Sequence, residues 1–175
     1  MASPNGYSPV TKVLHWLTVL ALAAQFTVGY LLDAGESGRG RGRGRGGESG
    51  RGRGRGGDLD PFGDNELLTV HVVLGVSILV LAVIRLLWRW RSTLPPWAPQ
   101  LSKAERVWAH WTERLLYLCL IAIPSTGLWL VSVNDDAVAA HVASHILFFV
   151  ALAAHLGLIL KHQLIKRDHL LRRML

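Results

Sequence analysis

Apolar residues form four long blocks in the chain rather than alternating with polar ones. The blocks cover residues 13–32, 67–88, 115–133 and 137–160. A helix rises about 1.5 Å per residue, so roughly 20 apolar residues cross the roughly 30 Å hydrocarbon core of a bilayer. The pattern therefore predicts an all-α fold in which four membrane-spanning helices form a bundle.

The composition agrees with a single membrane domain over residues 1–175. Half of the 175 residues are hydrophobic, only 18% are charged, and the mean hydropathy is +0.29. The single cysteine, Cys119, lies inside the third block, which excludes an intrachain disulfide and a CxxCH haem attachment. The first block runs past Ala23 to Leu32, so we interpret it as a retained span rather than a cleaved signal peptide.

Charge predicts the orientation. Four spans place both termini and the middle loop on one side, which carries 12 bases against 3 acids. The loop between the third and fourth spans carries only Asp135 and Asp136. By the positive-inside rule, both termini are therefore predicted to be cytoplasmic.

The first loop, residues 33–66, contains two near-copies of Gly-Glu-Ser-Gly followed by Arg-Gly repeats. Its seven arginines are balanced by seven acids. Glycine at alternate positions disfavours a helix or strand, so the loop is predicted to be a flexible, disordered insert. Arg-Gly repeats also occur in RNA-binding segments, but an outward-facing loop meets no RNA, and no nucleic-acid partner is expected.

Histidines inside the apolar blocks are the most informative residues, because ionisable groups in a membrane are costly and usually functional. The blocks contain His15, His71, His141, His145 and His155, while His110, His162 and His169 lie outside them. His141 and His155 are 14 residues apart. Fourteen residues turn a helix to within roughly 40° of four full turns and rise about 21 Å. One helix thus presents two imidazoles on one face at two depths.

Depth predicts a partner for each of them. His71 matches His141 near the outer surface (the outer pair), and His15 matches His155 near the inner surface (the inner pair). Two imidazoles across a bundle core are what a six-coordinate b-type haem requires. Gly75, one turn after His71, would leave room for the flat macrocycle.

Other interpretations remain open. Any one histidine can simply bond a neighbouring helix. His145 lies four residues after His141, so these two can instead form a small metal site. His155 and His169 are also 14 apart, but His169 lies in the basic tail beyond the membrane.

The chain resembles the bacterial cytochrome b561 family. The matching motifs are His15-Trp16-Leu17, His71-Val-Val-Leu-Gly75, residues 81–89, residues 116–127 with Pro124-Ser-Thr-Gly127, and a tail of Leu160-Lys161-His162, Arg167-Asp168 and residues 171–174. The resemblance implies a four-helix inner-membrane protein with two haem b groups bound by His15, His71, His141 and His155. The Arg-Gly insert, a shorter loop before His141, and Gln163 in place of a second histidine depart from the family pattern.

The resemblance further implies electron transfer, with ubiquinone as acceptor at the cytoplasmic side and superoxide or a redox protein as donor outside. The activity would be that of an electron carrier or a superoxide:ubiquinone oxidoreductase. His162, about two turns after His155 on a similar face, is a quinone candidate, or else an exposed interfacial residue. Lys161 is a second quinone candidate, and Arg85 a haem-propionate partner; both can also snorkel to the headgroups.

Two alternatives belong to other classes of function. The protein can be a haem-bearing anchor for a partner dehydrogenase or cytochrome, which would co-purify with it. It can also be a His-lined metal or proton transporter, which would be colourless when purified.

Overall fold

The computed structural model describes residues 6–39, 66–132, 137–168 and 170–175, with residues 33–39 described by their backbone alone. These residues form α1 (Pro9–Arg39), α2 (Glu66–Arg91), α3 (Lys103–Ser132) and α4 (Val138–Leu160). A π-helical segment, Lys161–Lys166, continues α4, and a short 3-10 helix follows at Leu170–Arg173. The described part of the chain contains no strand. The all-α prediction is confirmed.

Each of the four long helices is long and apolar enough to cross a membrane. Large apolar side chains point away from the bundle, among them Leu20 (65% exposed), Leu118 (58%) and Val150 (61%). Exposed apolar patches of this extent are rare on water-soluble monomers but are expected where lipid replaces water. The predicted four-helix membrane bundle is therefore confirmed.

The first three helices are longer than the apolar blocks that predicted them. α3 begins at Lys103 rather than at residue 115, because a capping box starts it. The Ser102 backbone N–H donates to Glu105 Oε2 (2.8 Å), and the Glu105 N–H donates to Ser102 Oγ (3.3 Å). Apolarity locates the membrane crossing, whereas the cap decides where the helix begins.

The boundary of the predicted first loop is wrong by several residues. α1 continues through residues 33–39, since extending a helix adds one hydrogen bond for each residue fixed. Residues 40–65, which hold most of the Arg-Gly repeats, lie outside the described residues, as do residues 133–136 and His169. The flexible insert stays a prediction.

Neighbouring helices in the chain are neighbours in space: α1 packs on α2, α2 on α3, and α3 on α4. Two apolar clusters fill the middle of the bundle. One contains Ile78, Ala82 and Leu120, the other Cys119, Ile123 and Phe148, and Leu22 packs against both. Between α1 and α4, the Phe26 ring lies 5.5 Å from Phe148 and 4.9 Å from Phe149, centroid to centroid. An apolar layer therefore separates the two ends of the bundle.

The C-terminal residues fold back over the beginning of α1. The Tyr7 N–H donates to the Arg173 carbonyl (3.2 Å), and the Trp16 indole N–H donates to the Met174 carbonyl (3.1 Å). Arg173 also donates to the Pro96 carbonyl in the α2–α3 connection (2.6 Å). This arrangement covers the end of the bundle that carries both termini.

Candidate functional site

A cavity at the end of the bundle opposite the two termini, called the outer cavity after the predicted orientation, is lined by all four helices. His71 of α2 and His141 of α4 both face it, together with Gln25, Gly75 and His145. Its other walls are mostly apolar side chains. The structure therefore brings the outer pair into one cavity, and it adds a third imidazole beside them.

His141 is held in a defined tautomer. Its Nδ1 lies 3.1 Å from the Ile123 carbonyl oxygen and 3.1 Å from Thr126 Oγ1. A carbonyl can only accept, so Nδ1 carries the proton and Nε2 keeps its lone pair. A histidine that binds a metal usually donates its other N–H in this way, which fixes the ring.

His71 has different partners. Its Nε2 lies 3.1 Å from Nε2 of Gln25, an amide nitrogen that can only donate. The His71 Nε2 therefore also holds a lone pair. Its Nδ1 is buried and has no hydrogen-bond partner among the described residues.

Two glycines face the rings of the outer pair. A Cβ atom at Gly29 would lie 3.2 Å from Cε1 of His71, and one at Gly127 would lie 3.1 Å from Cε1 of His141. A Cβ at Gly75 would meet Gln25 Nε2 at 3.6 Å, an ordinary contact. The sequence had singled out only Gly75. Gly29 and Gly127 carried no signal of their own, although Gly127 lies in the Pro-Ser-Thr-Gly motif.

These features fit a haem. A b-type haem needs two axial nitrogen donors, apolar walls and close approach of the backbone, and the outer cavity offers all three. The His145 ring lies 4.4 Å from that of His141 and 5.6 Å from that of Phe26, edge-on in both cases. Within the described ranges, no group of three or more His, Cys, Asp or Glu side chains is arranged to hold a metal ion. The cavity therefore suits a macrocycle better than a bare metal ion.

The inner pair lies toward the other end of the bundle. His15 of α1 lies near His155 of α4, and Arg85 of α2 lies near both. The Arg85 guanidinium lies 5.4 Å from the centre of the Tyr117 ring, in a cation–π contact. These contacts direct Arg85 toward the bundle interior, which favours the propionate interpretation over snorkelling.

His162 is completely buried, so the alternative of an exposed interfacial histidine is wrong. Its Nδ1 lies 2.5 Å from Asp168 Oδ2, and its Nε2 lies 3.3 Å from Glu105 Oε1. The chain reverses at Arg167, the one described non-glycine residue with positive φ (52°). The reversal lets the Asp168 N–H donate to the His162 carbonyl (3.2 Å) and places the Asp168 carboxylate against the ring.

Glu105 joins the beginning of α3 to the end of α4, a role that the sequence did not reveal. Its carboxylate lies 3.0 Å from Lys161 Nζ and 2.9 Å from Lys166 Nζ. A groove of about 490 Å³ between α3 and α4 adjoins this cluster. It is lined by Glu105, Trp108, Ala153, Ala154, Gly157 and Lys161, among others. Glu105 had been detectable only as the fourth residue of a capping box.

Four membrane-spanning helices that gather imidazoles around an apolar interior define the class of integral-membrane haem proteins. The family model for prokaryotic cytochrome b561 matches residues 6–175. The chain therefore belongs to the prokaryotic cytochrome b561 family, and the resemblance noted in the sequence is confirmed. Membership implies haem b binding and transmembrane electron transfer by a multi-pass bacterial membrane protein.

Proposed function

We propose that the protein carries electrons across the bacterial inner membrane through two b-type haems. The outer pair, His71 and His141, would bind one haem, and the inner pair, His15 and His155, the other. The observation that carries this proposal is the distribution of imidazoles on α4. His141 and His155 are about 21 Å apart along this helix, and each lies near a histidine from a different helix.

The haems supply one-electron redox chemistry, and the protein residues position and tune them. The Ile123 carbonyl and the Thr126 hydroxyl hold the His141 ring with Nε2 toward the cavity. Arg85, beside the inner pair, provides a positive charge for a haem propionate. The core around Leu120 and Ile123 keeps water and ions out of the space between the two sites.

The charge distribution favours cytoplasmic termini, and in that orientation the inner pair and the α3–α4 groove would face the cytoplasm. We assign this groove to ubiquinone. Its walls of Ala153, Ala154 and Gly157 are small enough for a flat ring, and Lys161 at its polar end can donate to a quinone carbonyl. His162 lies behind Glu105 and would act through that carboxylate rather than by direct contact. At the outer side, superoxide or a small redox protein is the proposed donor.

Spectra of single-histidine variants test the ligation. His71→Ala and His141→Ala should each lose the same haem and keep the other, whereas His15→Ala and His155→Ala should lose the remaining one. His145→Ala should keep both. Loss of the same haem from His71→Ala and His155→Ala would refute pairing by depth, and a colourless wild-type protein would refute haem binding altogether.

Stopped-flow reoxidation by a soluble ubiquinone analogue tests the groove. Lys161→Met and His162→Gln should slow the reaction several-fold without changing either haem spectrum. Lys103→Met is the matched control, because Lys103 is an exposed lysine outside the groove. Equal rates in Lys161→Met and the control would place the quinone elsewhere.

A further inference from the structure

Gln25 is a polar residue in the middle of the first span, ten residues and about 15 Å beyond His15 along α1. It is only 7% exposed, and its side chain lines the outer cavity. A buried amide costs free energy unless its hydrogen bonds are made, and polar residues inside a span usually have a functional role. Gln25 thus requires an explanation that the apolar packing of α1 does not provide.

The hydrogen bonds around Gln25 are incomplete. Its Nε2 reaches Nε2 of His71, but its Oε1 is buried without a partner among the residues described here. The His71 Nδ1 is likewise buried and has no hydrogen-bond partner among the described residues. His141, by contrast, has two acceptors for its Nδ1–H. An unpaired acceptor and an unpaired donor therefore lie on neighbouring side chains in one cavity.

The geometry of α1 places Gln25 and Gly29 along one edge of the His71 ring. Gln25 and Gly29 are one helical turn apart and so lie on the same face. Gln25 contacts His71 at Nε2. A Cβ atom added at Gly29 would lie 3.2 Å from Cε1 of His71 and 3.6 Å from its Nδ1. Hence α1 runs along the Nε2–Cε1–Nδ1 edge of the imidazole, and a flexible glutamine side chain can serve either nitrogen.

We propose that Gln25 is the positioning residue of His71 and exchanges one hydrogen bond for another when haem binds. This inference rests on the proposed ligation of haem by His71. Without haem, the Gln25 amide N–H donates to His71 Nε2 and keeps the ring in the ligating tautomer. With His71 Nε2 engaged as a haem ligand, Gln25 Oε1 would accept the Nδ1–H, the role that Ile123 and Thr126 perform for His141.

An acceptor on Nδ1 makes an imidazole a more basic ligand, which stabilises ferric over ferrous iron and lowers the midpoint potential. The substitution Gln25→Met keeps the length and removes both donor and acceptor. In its ionised form, Gln25→Glu offers a carboxylate, which accepts a hydrogen bond more strongly than an amide oxygen and adds a negative charge beside the ring. The two variants should therefore move the potential of the outer haem in opposite directions, which a purely structural role would not do.

The test uses the purified, haem-loaded protein. Both midpoint potentials are measured by redox titration, and haem loss is measured by transfer to apomyoglobin. Gln25→Met should raise the outer potential and speed outer haem loss about tenfold or more, in line with the loss of other outer-shell partners of metal ligands. Gln25→Glu should lower the outer potential. The inner haem, and both haems of the control Thr27→Val, should match the wild type.

The proposal is overturned if Gln25→Met leaves the outer potential and the rate of haem loss unchanged, or if both Gln25 variants shift the potential in the same direction. If Gln25→Met does not fold, the potential of Gln25→Glu decides alone: a value above that of the wild type refutes the proposal. His71→Ala separates the two hypotheses. Retention of the outer haem in that variant refutes ligation, whereas its loss together with unresponsive Gln25 variants refutes only the positioning role.

Discussion

Replacing Gly127 by alanine should remove or weaken the outer haem while leaving the inner haem intact. The added Cβ would lie 3.1 Å from Cε1 of His141, and 3.5 Å from Nδ1. The first distance is several tenths of an ångström shorter than a normal carbon–carbon contact, so the ring must move. The single Nδ1–H, shared between the Ile123 carbonyl and the Thr126 hydroxyl, opposes that movement.

The cost can be estimated from the effects of overpacking. Forcing an extra methyl group into a packed interior typically costs about 1–3 kcal/mol. If this cost falls on the ligating position of His141, haem affinity drops by roughly 5- to 150-fold. Alanine also favours a helix over glycine by about 1 kcal/mol, so the fold itself should not be weakened comparably. Loss of haem without loss of helix is the expected signature.

The assay is the haem-to-protein ratio from the pyridine haemochrome, combined with redox titration to identify which haem remains. Gly157→Ala is the matched control for haem content, because nothing lies within 4 Å of its added Cβ. It has the same change in helix propensity and should keep both haems. A Gly127→Ala protein with two haems at wild-type potentials would show that the His141 ring is not restrained as described.

Three further predictions concern other contacts of the candidate sites. Arg85→Gln removes a positive charge beside the inner pair, and this removal favours ferric over ferrous iron. Redox titration should therefore show a lower potential for the inner haem and an unchanged potential for the outer haem. Thr126→Val removes one of the two acceptors of the His141 Nδ1–H. It should increase the rate of outer haem loss, measured by transfer to apomyoglobin, by less than Gly127→Ala does. An equal or larger increase would contradict the shared hydrogen bond. Glu105→Gln weakens the ion pairs with Lys161 and Lys166. It should lower the thermal melting temperature and slow quinone-dependent reoxidation several-fold, with both haem spectra intact. A wild-type melting temperature together with a wild-type reoxidation rate would assign Glu105 no role beyond its capping box.

The secondary structure was predictable because its causes are local. Twenty or so apolar residues determine a membrane span by length and hydrophobicity alone, and each of the four predicted blocks overlaps a helix that fits a membrane. The helix ends were less predictable. α3 begins at a cap formed by Ser102 and Glu105, and α1 extends into the segment whose composition had predicted a flexible loop.

The pairing of histidines was predictable for a related reason. The repeat of a helix is determined by its backbone, so His141 and His155 had to share a face whatever surrounded them. Membrane depth then limited the candidates for each partner. In the structure, His71 and His141 line one cavity and His15 lies near His155, while their pairing as haem ligands stays a proposal.

What only the tertiary structure decided is the surroundings of each side chain. Contacts between different helices decide that Gln25 bonds His71 and that Gly29 and Gly127 face the imidazoles. They also bring Glu105 to His162, while a local chain reversal brings Asp168 there. No periodicity encodes such contacts, because they arise from the distances between packed helices and from the reversal at Arg167. The sequence by itself therefore determined the spans and the depth of the imidazoles, since helix geometry and hydrophobic length are local, whereas packing decided the hydrogen-bond partners of the His71 and His141 rings.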